Sequence, residues 1–146
     1  MYQDIGYLLK HINNRIKERM DAEMKDCNLT FQQAHVLWTL EKNGGTMTQK
    51  EIEERLSVSH PTIVGIITRM ENNGFVKTYL SQADRRIKIV ELTAQAHLFR
   101  EKVDRLGKQL REDLERDISE EDRNKLLLLL NQMYENLAVQ QEVSND

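Results

Sequence analysis

The sequence predicts a mostly α-helical (α+β) chain of six helices with one two-stranded β-hairpin. Only one proline and six glycines occur in 146 residues, among runs of residues that favour helices. Near both ends of the chain, apolar residues recur at three- and four-residue steps, the spacing of an amphipathic helix. Two short runs of β-favouring residues, 75–80 and 87–92, interrupt this pattern once. The length favours one compact domain.

A long first helix is predicted to end near Asn28. Its apolar stripe consists of Ile5, Leu8, Leu9, Ile12, Ile16, Met20 and Met24. A second helix, from about Phe31 to Lys42, begins at a capping box in which Thr30 is followed three residues later by Gln33. It ends at Asn43-Gly44-Gly45, because glycine tolerates the left-handed backbone that closes a helix.

Two short helices follow, separated by a turn of about three residues. Thr48-Gln49-Lys50-Glu51 repeats the capping box and predicts a helix from Gln49 to Leu56. Ser59 caps the next helix, whose first turn holds Pro61. Its core face carries apolar residues at helical spacing, Ile63, Ile66, Ile67 and Met70. Its outward face is small and polar: Pro61, Thr62, Gly65, Thr68, Arg69 and Asn72.

Asn72-Asn73-Gly74 ends that helix, and the predicted hairpin of strands 75–80 and 87–92 follows. Two further helices complete the chain. The first starts at Thr93 and is indicated by Phe99, Val103, Leu106, Leu110 and Leu114. The second starts after Ser119 and is indicated by Leu126, Leu127, Leu130, Met133 and Leu137. The apolar stripes of the first and last helices lack a partner within one chain, so a homodimer formed through them is expected.

The net charge of −3 for the whole chain argues against a nucleic-acid partner, but this charge is unevenly distributed along the sequence. Residues 119–146 carry two basic and six acidic side chains, whereas residues 46–93 carry seven basic and six acidic ones. A net +1 attracts DNA weakly, so the argument for DNA depends on where the basic residues lie.

The single Cys27 cannot form an internal disulfide, and an inert thiol is the simplest interpretation. An intermolecular bridge or a redox switch stays open. The longest apolar run, Leu126 to Leu130, is far shorter than the roughly 20 residues of a membrane span. The start of the chain carries no signal-peptide pattern. We expect a soluble, cytoplasmic protein with no membrane partner.

Two short helices joined by a tight turn form the unit that places a recognition helix in the major groove of DNA. Thr62 and Thr68 can offer a hydroxyl or a methyl group, and Arg69 can reach guanine or a phosphate. Ser59 and His60 lie at the helix start, where the dipole favours a phosphate. Which side chain contacts a base stays open. An ordinary helical hairpin with a solvated face is the alternative.

The β-hairpin favours DNA binding over that alternative. Its tip carries Asp84, Arg85 and Arg86 and can enter a minor groove, whose negative potential attracts arginine. Asp84 can orient the Arg86 guanidinium through a charge-assisted hydrogen bond. The predicted DNA-binding residues are Thr48, Ser59, His60, Pro61, Thr62, Gly65, Thr68, Arg69, Asp84, Arg85 and Arg86.

These residues resemble the MarR (multiple antibiotic resistance regulator) family of bacterial winged helix-turn-helix transcription regulators. The matching motifs are Leu29-Thr30, Thr48-Gln49-Lys50-Glu51-Ile52, Ser59-His60-Pro61-Thr62, Asn73-Gly74-Phe75-Val76, and Asp84-Arg85-Arg86 followed by Leu92-Thr93. Two departures are visible. Thr78 and Tyr79 stand where a basic residue is common, and Ala96-His97 replaces the usual glycine after Leu-Thr, which is expected to extend the helix.

The resemblance implies a homodimer whose helical dimerisation region spans residues 1–28 and 94–146. The winged helix-turn-helix then occupies residues 29–93, with the Ser59–Asn72 helix in the major groove and Arg86 in a minor groove. Two recognition helices about 34 Å apart require a pseudo-palindromic operator in double-stranded DNA. Repression of nearby genes is the expected outcome.

Many relatives bind small aromatic molecules between the dimer helices and the DNA-binding lobe, so the resemblance also implies repression that such an effector relieves. Phe31, His35 and Trp38 share one face of the second helix and can line such a cleft together with His11 and Arg15. Packing of these rings against the dimer helices is the alternative.

We expect no enzyme and no cofactor, because the sequence contains no Gly-rich phosphate loop, nucleophile elbow or metal-binding helix motif. The four histidines lack paired metal-ligand spacing, although a site assembled across a dimer stays open. The competing function is a non-enzymatic helical dimer that uses its winged helix for protein–protein interaction. Retention of a DNA duplex separates the two functions.

Overall fold

The computed structural model describes residue 1 and residues 3–143, with side chains up to residue 138. The last three residues of the predicted dimerisation region lie outside the described residues. The helices are α1 (Ile5–Met24), α2 (Phe31–Lys42), α3 (Gln49–Leu56), α4 (His60–Asn72), α5 (Ala94–His97), α6 (Arg100–Leu114) and α7 (Glu120–Val143). The strands are β1 (Thr46–Thr48), β2 (Val76–Leu80) and β3 (Lys88–Leu92). The mostly helical α+β winged-helix class is confirmed.

The chain divides into two compact units, Met1–Lys108 and Gln109–Asp146. The first unit contains the winged helix-turn-helix, from α2 to β3. The second contains the end of α6 and the whole of α7. In the part of the chain that is described, no helix is both long and apolar enough to cross a membrane.

Local signals in the sequence set the helix starts of the first unit. Both predicted capping boxes are present: the hydroxyls of Thr30 and Thr48 accept from the N–H groups of Gln33 and Glu51, and those two side chains accept in return. The first helix ends slightly earlier than Asn28. A single turn of 3-10 helix, Lys25–Cys27, follows α1 before the left-handed Asn28.

The sheet has three strands, so the prediction of a purely two-stranded wing is incomplete. Its order is β1-β3-β2, all antiparallel, with Met47 opposite Val90 in one pair and Thr78 opposite Val90 in the other. The strand that was not predicted is β1. It is only three residues long and carries two threonines, so it is too short to show the alternation of polar and apolar residues that marks a strand. Its pairing with β3 fastens the start of α3 to the base of the wing.

The predicted single helix from Thr93 to about Leu114 is wrong in one respect: it is two helices, so the described residues contain seven α-helices instead of six. Ala96-His97 does not extend the helix, because α5 stops at His97. The N–H groups of Leu98 and Phe99 donate to carbonyls three residues back, which tightens the backbone. The Phe99 ring then packs edge-on against Phe75, with ring centroids 5.4 Å apart.

The core of the first unit gathers around α4. The face of α4 predicted to be apolar is buried, as are Val36 and Leu40 of α2 and Phe75, Val76 and Val90 of the wing base. The N-terminal part of the α1 stripe is different. Met20 and Met24 are buried, but Ile5, Leu9 and Ile12 are exposed in the single chain.

The second unit leaves most of its apolar surface uncovered. Ser119 caps the start of α7 by accepting from the Asp122 N–H, and Arg123 pairs with Glu115 at 2.9 Å. The five consecutive leucines 126–130 point around the whole circumference of α7, since each residue turns a helix by about 100°. Four of them are exposed.

Candidate nucleic-acid interface

The N-terminus of α4 is capped by side-chain hydroxyl groups. Ser59 Oγ accepts from the Thr62 N–H at 3.4 Å and lies 2.8 Å from Thr62 Oγ1. Pro61 follows in the first turn, where no N–H is needed. Ser59, His60, Pro61 and Thr62 are all exposed, so the positive end of the helix dipole faces solvent.

His60 is held by a residue that sequence reasoning missed. Its Nδ1 lies 2.6 Å from Oε1 of Glu53, which belongs to α3. The His60 side chain remains 68% exposed while that of Glu53 is 18% exposed. Gln49 Nε2 also donates to the same carboxylate oxygen, at 3.4 Å. The pair joins the two helices of the helix-turn-helix and leaves most of the imidazole open to solvent.

Farther along α4, the outward face leaves space for Arg69. The Thr68 hydroxyl donates to the Val64 carbonyl at 2.8 Å, so its proton is used within the helix. A Cβ on Gly65 would lie 3.5 Å from Nη2 of Arg69, which places the guanidinium along the helix surface beside Gly65. Arg69 is exposed and is the cation of this face.

Thr48 occupies the junction of β1 and α3. Its hydroxyl accepts from the Glu51 N–H at 3.1 Å, and its own N–H donates to Glu51 Oε2 at 2.8 Å. The residue is half-buried. It stands at the N-terminus of α3, whose positive dipole end favours a phosphate.

At the wing tip, Asp84 holds Arg86 in one orientation. Arg86 Nε donates to Oδ1 and Nη2 donates to Oδ2, both at 3.1 Å, and the Arg86 N–H donates to Oδ1 at 3.0 Å. The Arg86 guanidinium lowers the pKa of Asp84, and the carboxylate raises the pKa of Arg86. The Arg86 side chain is 91% exposed. The neighbouring Arg85 is exposed as well.

The base of the wing carries two further clusters that sequence reasoning missed. Glu71, in the last turn of α4, accepts from both the N–H and the hydroxyl of Thr78 on β2. On β3, Glu91 accepts from the Tyr79 hydroxyl at 2.9 Å and lies 3.5 Å from the Lys77 ammonium. The hydrogen bond to Glu91 raises the pKa of Tyr79. An acidic residue at a helix C-terminus was the available signal for Glu71, because it opposes the helix dipole.

The five predicted ligand residues lie in two groups, one on α2 and one on α1. Phe31, His35 and Trp38 form a row of rings on α2, with centroids 6.1 and 6.3 Å apart. Partial burial lowers the pKa of His35. On α1, Arg15 is exposed and the His11 ring packs at a tilt against the ring of Tyr7, with centroids 4.0 Å apart.

A small depression lies on the Trp38 side of α2. It is lined by Leu37, Trp38, Glu41, Ala96, Arg100, Val103 and Asp104. Trp38 is the member of the predicted ligand set that borders it. Within residues 1 and 3–143, no three His, Cys, Asp or Glu side chains are grouped to hold a metal ion.

Comparison with known proteins gives matches in sequence and in fold. The profile of the MarR family matches residues 28–87. The chain is 32% identical over 126 residues to the uncharacterized HTH-type transcriptional regulator YwoH of Bacillus subtilis (strain 168), a match covering 82% of this chain and 90% of that protein. It is 31% identical over 87 residues to the HTH-type transcriptional repressor IacR of Pseudomonas putida, which covers 60% of this chain and 52% of IacR.

The S. aureus MepR–DNA complex provides a structural match. Its protein chain is 23% identical in sequence and superposes with a TM-score of 0.86, covering 93% of this chain and 99% of that one. At this identity the likeness supports the fold.

Proposed function

Because this chain belongs to the MarR family, we propose that it is a homodimeric transcription regulator that binds a pseudo-palindromic operator in duplex DNA. In this proposal, α4 enters the major groove and the wing tip enters a neighbouring minor groove. The two-fold symmetry of the dimer then requires two half-sites one helical turn apart.

The observation that carries the proposal is the orientation of Arg86. An exposed arginine ordinarily samples many rotamers, and ordering it on DNA costs entropy. Two hydrogen bonds to Asp84 order the guanidinium before DNA arrives, and a third, from the Arg86 backbone N–H, holds the same carboxylate, yet 91% of the Arg86 side chain stays exposed. An ordered arginine at the tip of a two-stranded arm suits the negative potential of a minor groove.

The face of α4 complements this arm. The Thr68 hydroxyl proton is used within the helix, so Thr68 offers a lone pair and a methyl group to DNA, whereas one hydroxyl of the Ser59–Thr62 pair can still donate. Arg69 is the strong donor of the face, and Gly65 and Pro61 permit close approach of the backbone. Thr48 and His60 stand at helix starts, where a phosphate is favoured. Arg85 supplies a second cation at the wing tip.

The dimer is proposed from exposed apolar faces. Ile5, Leu9 and Ile12 on α1 are uncovered in a single chain, and so are Leu126, Leu127 and Leu137, which share one side of α7. Each face groups several large apolar side chains and needs a partner. We therefore assign dimerisation to residues 1–28 and 94–146 and DNA binding to residues 29–93.

Regulation is proposed to be repression, the role that the name of the relative IacR states for that protein, and its targets are proposed to be nearby genes. A small aromatic effector that relieves repression would use the α2 row of Phe31, His35 and Trp38, with His11 and Arg15 from α1. The protein is proposed to act by binding alone, without catalysis.

The test is binding of the full-length protein to labelled duplexes from the DNA flanking its own gene, at several salt concentrations. The wild type should retain one duplex over random DNA and bind more tightly at low salt, with a slope of about −0.9 per neutralised phosphate. Arg86→Ala should weaken specific binding about tenfold. Arg105→Ala, which removes an exposed arginine on α6, is the matched control and should change little. A wild type that retains no duplex would overturn the proposal and favour a protein-binding role.

A further inference from the structure

The wing is attached to the end of α4 through a pair of bonds to one carboxylate oxygen. Glu71 Oε2 accepts from the Thr78 N–H at 2.8 Å and from the Thr78 hydroxyl at 2.6 Å. Since β2 is an edge strand, its outward N–H groups have no strand partner. Glu71 supplies the acceptor for one of them, midway along β2.

The position of Glu71 is electrostatically unfavourable unless these hydrogen bonds compensate. It lies in the last turn of α4, where the negative end of the helix dipole disfavours a carboxylate. It also stands on the helix proposed to approach the negatively charged DNA, so its charge repels the phosphates. Both costs point to a role for Glu71 in positioning.

A separate group of bonds fixes the turn between α4 and β2. The Thr93 hydroxyl donates to the Gly74 carbonyl at 2.5 Å, and Gln95 Nε2 donates to the Asn73 carbonyl at 3.4 Å. Gly74 itself has a φ of +81°, and a Cβ there would lie 2.6 Å from Gln95 Oε1. These bonds and the pairing of β1 with β3 hold the base of the wing. The Glu71–Thr78 contact adds an attachment farther along β2.

We propose that Glu71 is a positioning residue for DNA binding: through Thr78 it sets the angle between α4 and the wing. Arg69 and Arg86 then reach their two grooves together. This inference rests on the proposed function. It concerns a residue that makes no contact with DNA itself.

The sign of the effect separates positioning from simple electrostatics. Removing a carboxylate near DNA should tighten binding if charge alone matters. A positioning role predicts that Glu71→Ala weakens operator binding about three- to tenfold. In that variant the wing becomes ordered only on DNA, and the entropy lost in ordering it reduces the binding free energy. Glu71→Gln keeps an oxygen acceptor without the charge and should bind the operator at least as tightly as the wild type. On β2, Thr78→Val should lose part of the affinity and Thr78→Ser should restore it.

A double-mutant cycle with Arg86→Ala gives the decisive measurement. If Glu71 acts by placing the wing tip, Glu71→Ala should cost little in a chain that already lacks the Arg86 side chain. Thermal unfolding of each variant establishes that it is folded at the temperature of the binding assay. Amide exchange of Thr78 without DNA should be slow in the wild type and fast in Glu71→Ala.

The outcomes are distinguishable from failure of the proposed function. A wild type that binds no duplex overturns that function and this inference with it. A wild type that binds its operator, together with a Glu71→Ala variant that binds equally or more tightly, overturns this inference alone. Additive losses in the cycle, or fast exchange of Thr78 in the wild type, also overturn it.

Discussion

Asp84 shows how one residue determines what its neighbour can do. Its carboxylate accepts three hydrogen bonds from Arg86, and the arginine lowers the pKa of Asp84. The carboxylate therefore stays charged well into the acidic range, and the Arg86 orientation persists with it. The same pattern recurs at His60, which Glu53 orients from the preceding helix. At this interface the acidic residues orient basic ones, which explains why a net charge of +1 for residues 46–93 is a poor guide to DNA binding.

Asp84→Ala should therefore weaken operator binding about threefold, although it removes a negative charge from the wing tip, because Arg86 loses its ordering. Asp84→Asn keeps one oxygen acceptor and should lose less. Glu54→Ala is the control, since it removes an exposed carboxylate from α3. Fluorescence anisotropy with the operator duplex gives the three affinities. Tighter binding of Asp84→Ala would mean that charge outweighs orientation at the tip.

Among the helices and strands, capping boxes define where helices begin. Thr30 and Thr48 each exchange a pair of hydrogen bonds with the side chain and backbone three residues on. Helix ends also have local causes, such as the left-handed Ser57 after α3. The break between α5 and α6 is different, since it accompanies the packing of Phe99 on Phe75.

The two capping threonines provide a matched pair of variants. Thr30→Ala and Thr48→Ala should each lower the free energy of unfolding by about 1 kcal/mol. That corresponds to a Tm decrease of roughly 2 to 4 °C, measured at equal protein concentration. Operator affinity should fall beyond this only in Thr48→Ala, because Thr30 lies outside the proposed interface. Equal affinities of the two variants would exclude a DNA contact at Thr48.

For the molecule as a whole, the exposed apolar surface of α7 requires an explanation. A stretch of helix that is apolar around its whole circumference, as residues 126–130 are, is stable in water only when other helices cover it. Leucines 126–129 are all exposed in a single chain. The acidic excess of residues 119–146 favours the solubility of a chain that exposes this surface.

Sedimentation should therefore give a species of twice the 17.2 kDa chain mass. Leu137→Glu places a charge on the apolar stripe of α7 and should shift this species toward monomer, with loss of operator binding. The control is Leu137→Met, which keeps an apolar side chain of similar volume at the same position and should leave the dimer intact. A stable dimer in Leu137→Glu would place the interface elsewhere.

Spacing along the chain is enough to specify the helix starts, the buried face of α4, the hairpin and the tip that carries Arg86. These features depend on contacts between residues a few positions apart, such as Thr48 with Glu51 and Asp84 with Arg86, so the sequence reveals them. The two arginines at the wing tip likewise indicate DNA by their residue type and their place in the hairpin.

Packing in three dimensions determines the strand β1, the break after His97, and the pairs His60–Glu53 and Thr78–Glu71. The strand and the two pairs join groups from different helices and strands, and the break depends on how the Phe99 ring packs. The distances between these groups are set by the packing of the core. No periodicity in the chain encodes that distance. The two pairs that orient the candidate interface from within the protein are therefore visible only in the folded chain.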